Sequence, residues 1–375
     1  MKTYKFKVYK SKKLKYLHQQ VRIAGEVYNY LISLHKRYYK IFGKYIHKNR
    51  LKNQLVKIKK RSKFAHWKQL GSQSLQDVVD RIDHGYQKFF RRENKRPPSF
   101  RKMKKFRSFT LTQSGWKLNE ESVTIGKKVY KFFKSREILG TPKRIHVKRD
   151  SLGDFYIFLV TDHSEIPPEE SITSVNSVGI DFGLKTYLTL SDGNIIKSPE
   201  FFKQFRTKIS TANKTLSRKQ KGSKSRKQAR KNLSRVHKKV VNKRLDWQVK
   251  LARDLTNKYT HIYLEDLDLN GMKKRWGRKI SDLAFHQQVM WLDYQATKAR
   301  CKVLKIDRFE PTSKRCNVCS HLKRDLTLKN RKWLCNNCGS FNHRDFNAAL
   351  NIHDAGASAS GLGNVRRELV PAVSA

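Results

Sequence analysis

Apolar and polar residues alternate from Met1 to Tyr9, placing Tyr4, Phe6 and Val8 on one face, and this period of two predicts an opening strand. The period then changes. Val27, Leu31, Leu34, Tyr38 and Ile41 recur at steps of three and four, as do Leu75, Val79, Ile82, Tyr86 and Phe89, and each set gives the apolar stripe of a helix. A basic run from Lys57 to Lys63 separates them, so the pattern predicts a small helical bundle with basic outer faces. Arg96-Pro97-Pro98 ends the helices. From about Phe106, the stretches SFTLTQ, SVTIG, KRIHVKR and FYIFLVTD lie between Gly, Asp and Ser turns. They read as strands of a sheet that the opening strand joins.

A polar segment over 162–176, containing Pro167-Pro168, predicts the main domain boundary. Beyond it SVGIDFG and TYLTLSDG read as antiparallel strands with a turn at Asp192-Gly193. From Phe201 to Leu245 there is no Asp or Glu, while Lys and Arg abound. Gly222-Ser223 interrupts this run, and Leu233, Val236 and Val240 keep an apolar spacing. A basic helical hairpin therefore fits better than a disordered tail. Leu245 to Tyr259 reads as a helix, HIYLEDL as a strand, Ser281 to Arg300 as a helix and CKVLKI as a strand. A helix from His343 to His353 closes the fold, and the small residues of 354–375 predict a loose tail.

Charge sharpens this picture. The 375 residues carry 84 Lys and Arg against 30 Asp and Glu, a formal net charge of +54. Repulsion on that scale opposes compaction unless a polyanion relieves it. Solubility alone needs far less charge, so nucleic acid, which rewards each displaced counterion, is the expected partner. No long apolar run suits a membrane, and MKTYKFKVYK lacks a signal peptide's apolar core. A reducing cytoplasm is therefore the expected location. In that reducing setting paired cysteines point to metal rather than disulfides.

Two chemical motifs stand out. Cys316-x-x-Cys319 and Cys335-x-x-Cys338, with residues 320–334 between them, match a tetrahedral structural zinc site. Cys301, alone in an apolar strand, reads as a small buried hydrophobe. Asp181 and Glu265 end apolar strands, and Asp345 opens the last helix. Taken singly, each also reads as a turn residue, the start of a polar loop or a helix N-terminal acid. Together, in a polybasic chain, they can hold two divalent ions such as Mg²⁺ or Mn²⁺, which prefer hard oxygen ligands and hydrolyse phosphodiesters.

GIDFGLKTYLTLSDG, SRKQKGSKSRKQARKNLSRVHKKVVNKRLDW, YLEDLDLNGM and SKRCNVC…CNNCG…RDFNAALNI occur in order between about Val178 and Ile352. In these motifs the chain resembles the TnpB proteins of bacterial and archaeal insertion sequences, compact relatives of type V CRISPR nucleases. SLQDVVDRIDHGYQKFFRR and RPPSFRKM extend the likeness more loosely into the N-terminal half. The resemblance implies an α/β multidomain protein. An RNase H-like RuvC domain (177–312 and 341–353) would hold magnesium at Asp181, Glu265 and Asp345, with a zinc ribbon (313–340) inserted before the last acid. A wedge-like β-barrel (1–10 and 96–161), interrupted by a helical recognition domain (11–95), would grip an RNA–DNA heteroduplex.

The activity implied is RNA-guided cutting of double-stranded DNA beside a short adjacent motif, with a guide RNA transcribed from the transposon end and a monomer as the expected state. Lys219, Lys221, Lys224, Arg226, Lys227 and Arg230 of the basic hairpin are the expected nucleic-acid contacts. Tyr38, Tyr39, Trp67, Phe106, Trp116 and Trp276 are aromatics that either stack on bases or fill the core. Two other functions share these features: a nuclease-silent RNA-guided regulator, which would not need the acids, and a transposase or its accessory protein.

Overall fold

The computed structural model describes residues 1–163, 175–327 and 329–362. The expected linker falls mostly, and the end of the expected tail wholly, outside these residues. The chain divides into two compact units, Met1–Ser164 and Glu165–Ala375. Among the described residues no helix is long and apolar enough to cross a membrane.

The first unit opens with β1 (Lys2–Lys7), continues through α1 (Leu14–Phe42), α2 (Lys48–Ile58), a 3-10 helix (Ser62–Leu70) and α3 (Ser72–Phe90), and then becomes strands. These are β2 (Ser108–Leu111), β3 (Trp116–Leu118), β4 (Ser122–Ile125), β5 (Lys128–Lys131), β6 (Pro142–Arg149) and β7 (Phe155–Thr161). As the alternation predicts, β1 joins the later strands: it pairs antiparallel with β7, Phe6 opposite Ile157, in a sheet ordered β1-β7-β6-β2. Val27, Leu31, Val79 and Ile82 are fully buried, so the two helical stripes do face the core. Ile41 is 64% exposed, because the apolar stripe outlasts the core it covers.

The expected barrel does not form among the described residues. Among the described residues the strands form an open four-stranded sheet and a separate sheet, β3-β4-β5, joined by a single bridge between Val8 and Phe132. Edge strand β2 meets α3 instead of another strand: the buried Ser74 hydroxyl donates to the Thr110 carbonyl at 2.6 Å. Alternation shows which face of a strand is buried. It does not show whether the edges meet.

The second unit is built on a five-stranded sheet ordered β10-β9-β8-β11-β12. Its strands are β8 (Ser177–Phe182), β9 (Leu188–Leu190), β10 (Ile195–Ile196), β11 (His261–Glu265) and β12 (Lys302–Ile306). β9 pairs antiparallel with both β8 and β10, while β11 runs parallel to both β8 and β12. The basic run forms α4 (Phe201–Gln204), α5 (Arg206–Ser217) and α6 (Lys224–Lys258). The hairpin turns at Gly222, whose φ is +91°, and Ser223 caps α6 by accepting from the Arg226 N–H at 3.1 Å. Two helices, α7 (Leu269–Leu283) and α8 (Phe285–Ala299), replace the single helix expected over 281–300. Ala284 breaks them with φ +50°. The buried Gln248 amide and the Tyr187 hydroxyl, which donate to the carbonyls of Leu283 and Ala284, hold this break. A short hairpin of β13 (Lys332–Leu334) and β14 (Phe341–His343) leads into α9 (Arg344–Ala359). That helix continues six residues past its expected end at His353.

Two glycines seat α9. A β-carbon at Gly179 would collide with the Ala349 carbonyl and the His353 backbone, and one at Gly356 would enter the Tyr263 ring. Gly179→Ala is therefore expected to lower stability by about 1–3 kcal/mol, the usual effect of overpacking. Gly277→Ala, where nothing lies within 4 Å, is expected to be neutral or stabilising. Urea melts of both variants check this, and equal midpoints would contradict the seating.

Candidate active site and metal centre

The fold brings the three acids of the second unit together. Leu264 of β11 pairs in parallel with Ile180 of β8, so Glu265 and Asp181 are the next residues on neighbouring strands. Helix α9 lies antiparallel across β8. His353 Nε2 meets the Ser177 hydroxyl at 2.8 Å, and Ala349 sits over Gly179. Two further residues along the strand advance about 7 Å. Four residues back along the helix retreat about 6 Å. Asp181 and Asp345 therefore arrive at the same level.

Their charges feel one another. Burial, then the Asp345 and Glu265 carboxylates, push the Asp181 carboxyl up to about 7, against the opposing pull of Arg344 and Arg331. Burial also raises Glu265. Asp345 lies in the first turn of α9, where the helix dipole favours its charge. Both its oxygens accept from Arg331 Nη1, at 2.9 and 3.2 Å. Arg331 stands just before β13, and nothing in the cysteine spacing marks it in advance. An acid pushed this far above its ordinary range is one that a divalent cation would restore to the charged form. The three hard-oxygen donors thus fit Mg²⁺ or Mn²⁺ in chemistry.

The four paired cysteines converge as their spacing predicts. Their sulfurs all lie within 4.8 Å of one another, with Cys316–Cys338 at 3.7 Å and Cys319–Cys335 at 3.6 Å. Tetrahedral zinc with bonds of about 2.3 Å requires sulfurs about 3.8 Å apart. Burial acts to raise the Cys316 thiol, yet the Ser340 hydroxyl and the backbone N–H groups of Cys319 and Val318 hold it down to about 6. The apolar cluster here adds only Leu326 and Trp333 to the cysteines, too little to fold such a module without metal. Cys301 takes no part: it is 7% exposed, and burial pushes its thiol up to about 12.

Of the six hairpin cations expected to meet nucleic acid, Lys219, Lys221, Lys224, Lys227 and Arg230 are exposed. Arg226 is half-buried and donates to the carbonyls of Leu216 and Lys219 at 2.8 and 2.6 Å, so it closes the end of α5. Trp67 is a core residue at 2% exposure, packed on Tyr30 and Phe64, whereas Tyr39 is 65% exposed. The sequence reading also passed over Asn347 and Asn351, which join α9 to the cysteine module. Two weak helix formers four residues apart on a buried helix were the available signal.

The chain is similar to known proteins over most of its length. The family described as OrfB_IS605, "Probable transposase", matches residues 158–275, and that described as "Cas12f1-like, TNB domain" matches residues 285–352. A Streptomyces pristinaespiralis protein named "Putative RNA-guided DNA endonuclease" is 30% identical over 316 residues, 83% of this chain and 78% of that one. The similarly named InsQ of Escherichia coli K12 is 27% identical, covering 92% of this chain and 90% of its own. In fold, the chain resembles Cas12f1 solved by cryo-EM with its guide RNA and target DNA, at 14% identity and a TM-score of 0.59, covering 92% of this chain and 83% of that one. With a relative 30% identical over 83% of this chain and both family models matched along the second half of the sequence, the chain belongs to the TnpB family of transposon-encoded proteins.

Proposed function

We propose that the chain is an RNA-guided DNA endonuclease of an insertion sequence, cutting double-stranded target DNA beside a short adjacent motif. The convergence of Asp181, Glu265 and Asp345 from β8, β11 and α9, with Asp181 raised to about 7, carries this reading. Its relatives' names and the Cas12f1 fold support it. The five-stranded sheet with α9 across it acts as an RNase H-like RuvC domain. The three acids would hold two divalent ions, which when bound neutralise charge at phosphorus and activate water. Cys316, Cys319, Cys335 and Cys338 would hold a structural zinc. The residues of 11–95 act as the recognition part, and those of 1–10 and 96–161 as the wedge-like part, of a grip on a guide RNA paired with target DNA. Base pairing supplies sequence, and the protein reads shape and the short motif. Exposed cations such as Lys219, Lys221, Lys224, Lys227 and Arg230 position phosphates. A nuclease-silent regulator would have no use for the acid cluster.

Asp181→Ala is expected to reduce guided cleavage by about three orders of magnitude or more, since a metal ligand serves the chemistry. Guide and target affinity should stay nearly unchanged, because the cations carry it. Gel-shift and cleavage assays on a matched target decide this, and parallel loss of both would defeat the assignment.

The acid cluster also sets a pH dependence. Asp181 titrates well above its ordinary 3.8 in the folded chain. Between about pH 4 and 7 the folded state therefore binds more protons than the unfolded state, and this group's contribution to stability declines as pH rises through that window. In zinc-loaded protein without magnesium or manganese, Asp181→Asn should raise Tm at pH 8 and barely alter it at pH 4. A Tm difference independent of pH would refute the shift.

Metal analysis should find one zinc per chain, and Cys316→Ser should lower that ratio together with Tm. Full zinc occupancy in the variant would exclude the four-cysteine site.

A further inference from the structure

Asn317 lies inside the first cysteine pair, between Cys316 and Cys319. Its backbone N–H donates to Asn347 Oδ1 at 3.0 Å. Its side-chain amide donates to Asn351 Oδ1 at 3.1 Å and to Asp354 Oδ2 at 2.7 Å. The bonds also run the other way. Asn347 Nδ2 donates to the carbonyls of Arg315 and Thr312 at 2.7 and 3.3 Å, and Asn351 Nδ2 donates to the same two carbonyls, both at 2.7 Å. Asn347 and Asn351 are only 2% and 7% exposed.

Burying amides is unfavourable unless their polar atoms are paired, and here both ends of both side chains are paired. An apolar contact of equal area would let the cysteine module slide on α9. Directional bonds to two carbonyls and to the 317 backbone fix its position and orientation. The helix held in this way is the one that carries Asp345, two residues before the first asparagine. The same module also reaches Asp345 directly through Arg331. Gly179 seats the helix from the other side.

We infer that Asn317, Asn347 and Asn351 are positioning residues that transmit the geometry of the cysteine centre to Asp345, and so set how tightly the acid cluster holds its divalent cation. This rests on the acids being that cation's site. On this account the module is a splint for one ligand of the reaction centre. Residues that orient metal ligands typically change metal affinity by about 10–100-fold when removed.

The test uses the full-length, zinc-loaded chain and Mn²⁺ as the probe, with binding followed by electron paramagnetic resonance. The Mn²⁺ site in question is the one that Asp181→Ala removes. Asn351→Ala leaves both carbonyls a second donor in Asn347, and it should retain one zinc per chain and the helical content while binding Mn²⁺ about 10–100-fold more weakly. Asn317→Ala, on the less buried side of the ladder, should act in the same direction and decides the matter if Asn351→Ala loses zinc or unfolds. Mn²⁺ affinity equal to that of the unaltered chain, in a variant that keeps its zinc and fold, would overturn the inference. Mn²⁺ binding indifferent to Asp181→Ala would sink the endonuclease reading itself, and this inference with it.

Discussion

The second unit depends on one close approach. Helix α9 lies directly on the backbone of β8, with Gly179 beneath Ala349 and His353, and no other residue type fits between them. The separation and the antiparallel sense of that contact place Asp345 level with Asp181. Ser177 bonded to His353, and the Tyr263 ring of β11 against Gly356 one turn further on, both secure the C-terminal half of the helix. The cysteine module is then docked on the outer side of the same helix by buried asparagines. One helix thus connects the sheet, the acids and the metal module, because small side chains let it approach and amides fix its orientation.

Charge imposes the other constraint, and it acts with opposite sign in two places. Over the chain as a whole, 84 cationic residues face 30 anionic ones. From Phe201 to Leu245 the chain that forms most of the α5–α6 hairpin contains no acid. Within the cluster of Asp181, Glu265 and Asp345, burial first and then repulsion between carboxylates raise the Asp181 carboxyl. Each imbalance disfavours the isolated folded chain. Each would be relieved by a ligand of the matching sign, a polyanion outside and a divalent cation within.

What could be read from the sequence follows from how local each signal is. The cysteine centre was legible because CxxC spacing is itself the geometry of the ligand set. The three acids were legible as ends of apolar strands and the start of a helix, but their convergence depends on β8 and β11 being parallel neighbours, which no local pattern states. The joining of β1 to the later strands was legible from alternation, while whether those strands close into a barrel was not, and among the described residues they do not. The break at Ala284 was hidden because alanine is a strong helix former. Its left-handed conformation is held by Gln248 and Tyr187, 36 and 97 residues away in sequence. Arg226 read as one more surface cation, yet its guanidinium ties the turn of the hairpin.

The two charge imbalances are not independent. Arg344 and Arg331 pull the Asp181 carboxyl down, so the positive field of the protein partly offsets the rise that burial and the neighbouring carboxylates impose on it. In the proposed complex, phosphates seated on the basic hairpin would cancel part of that field and add negative potential around the acids. The acids would then depend more on a divalent cation, and the cation would bind more tightly. By linkage, the cation would in turn strengthen the hold on the polyanion. Arg331 sits where the two effects meet, since it belongs to the cysteine module and is bonded to Asp345. A centre arranged in this way is poorly satisfied when empty and best satisfied with both ligands present. Under the proposed function, this would couple readiness for chemistry to occupancy by nucleic acid without a separate switch.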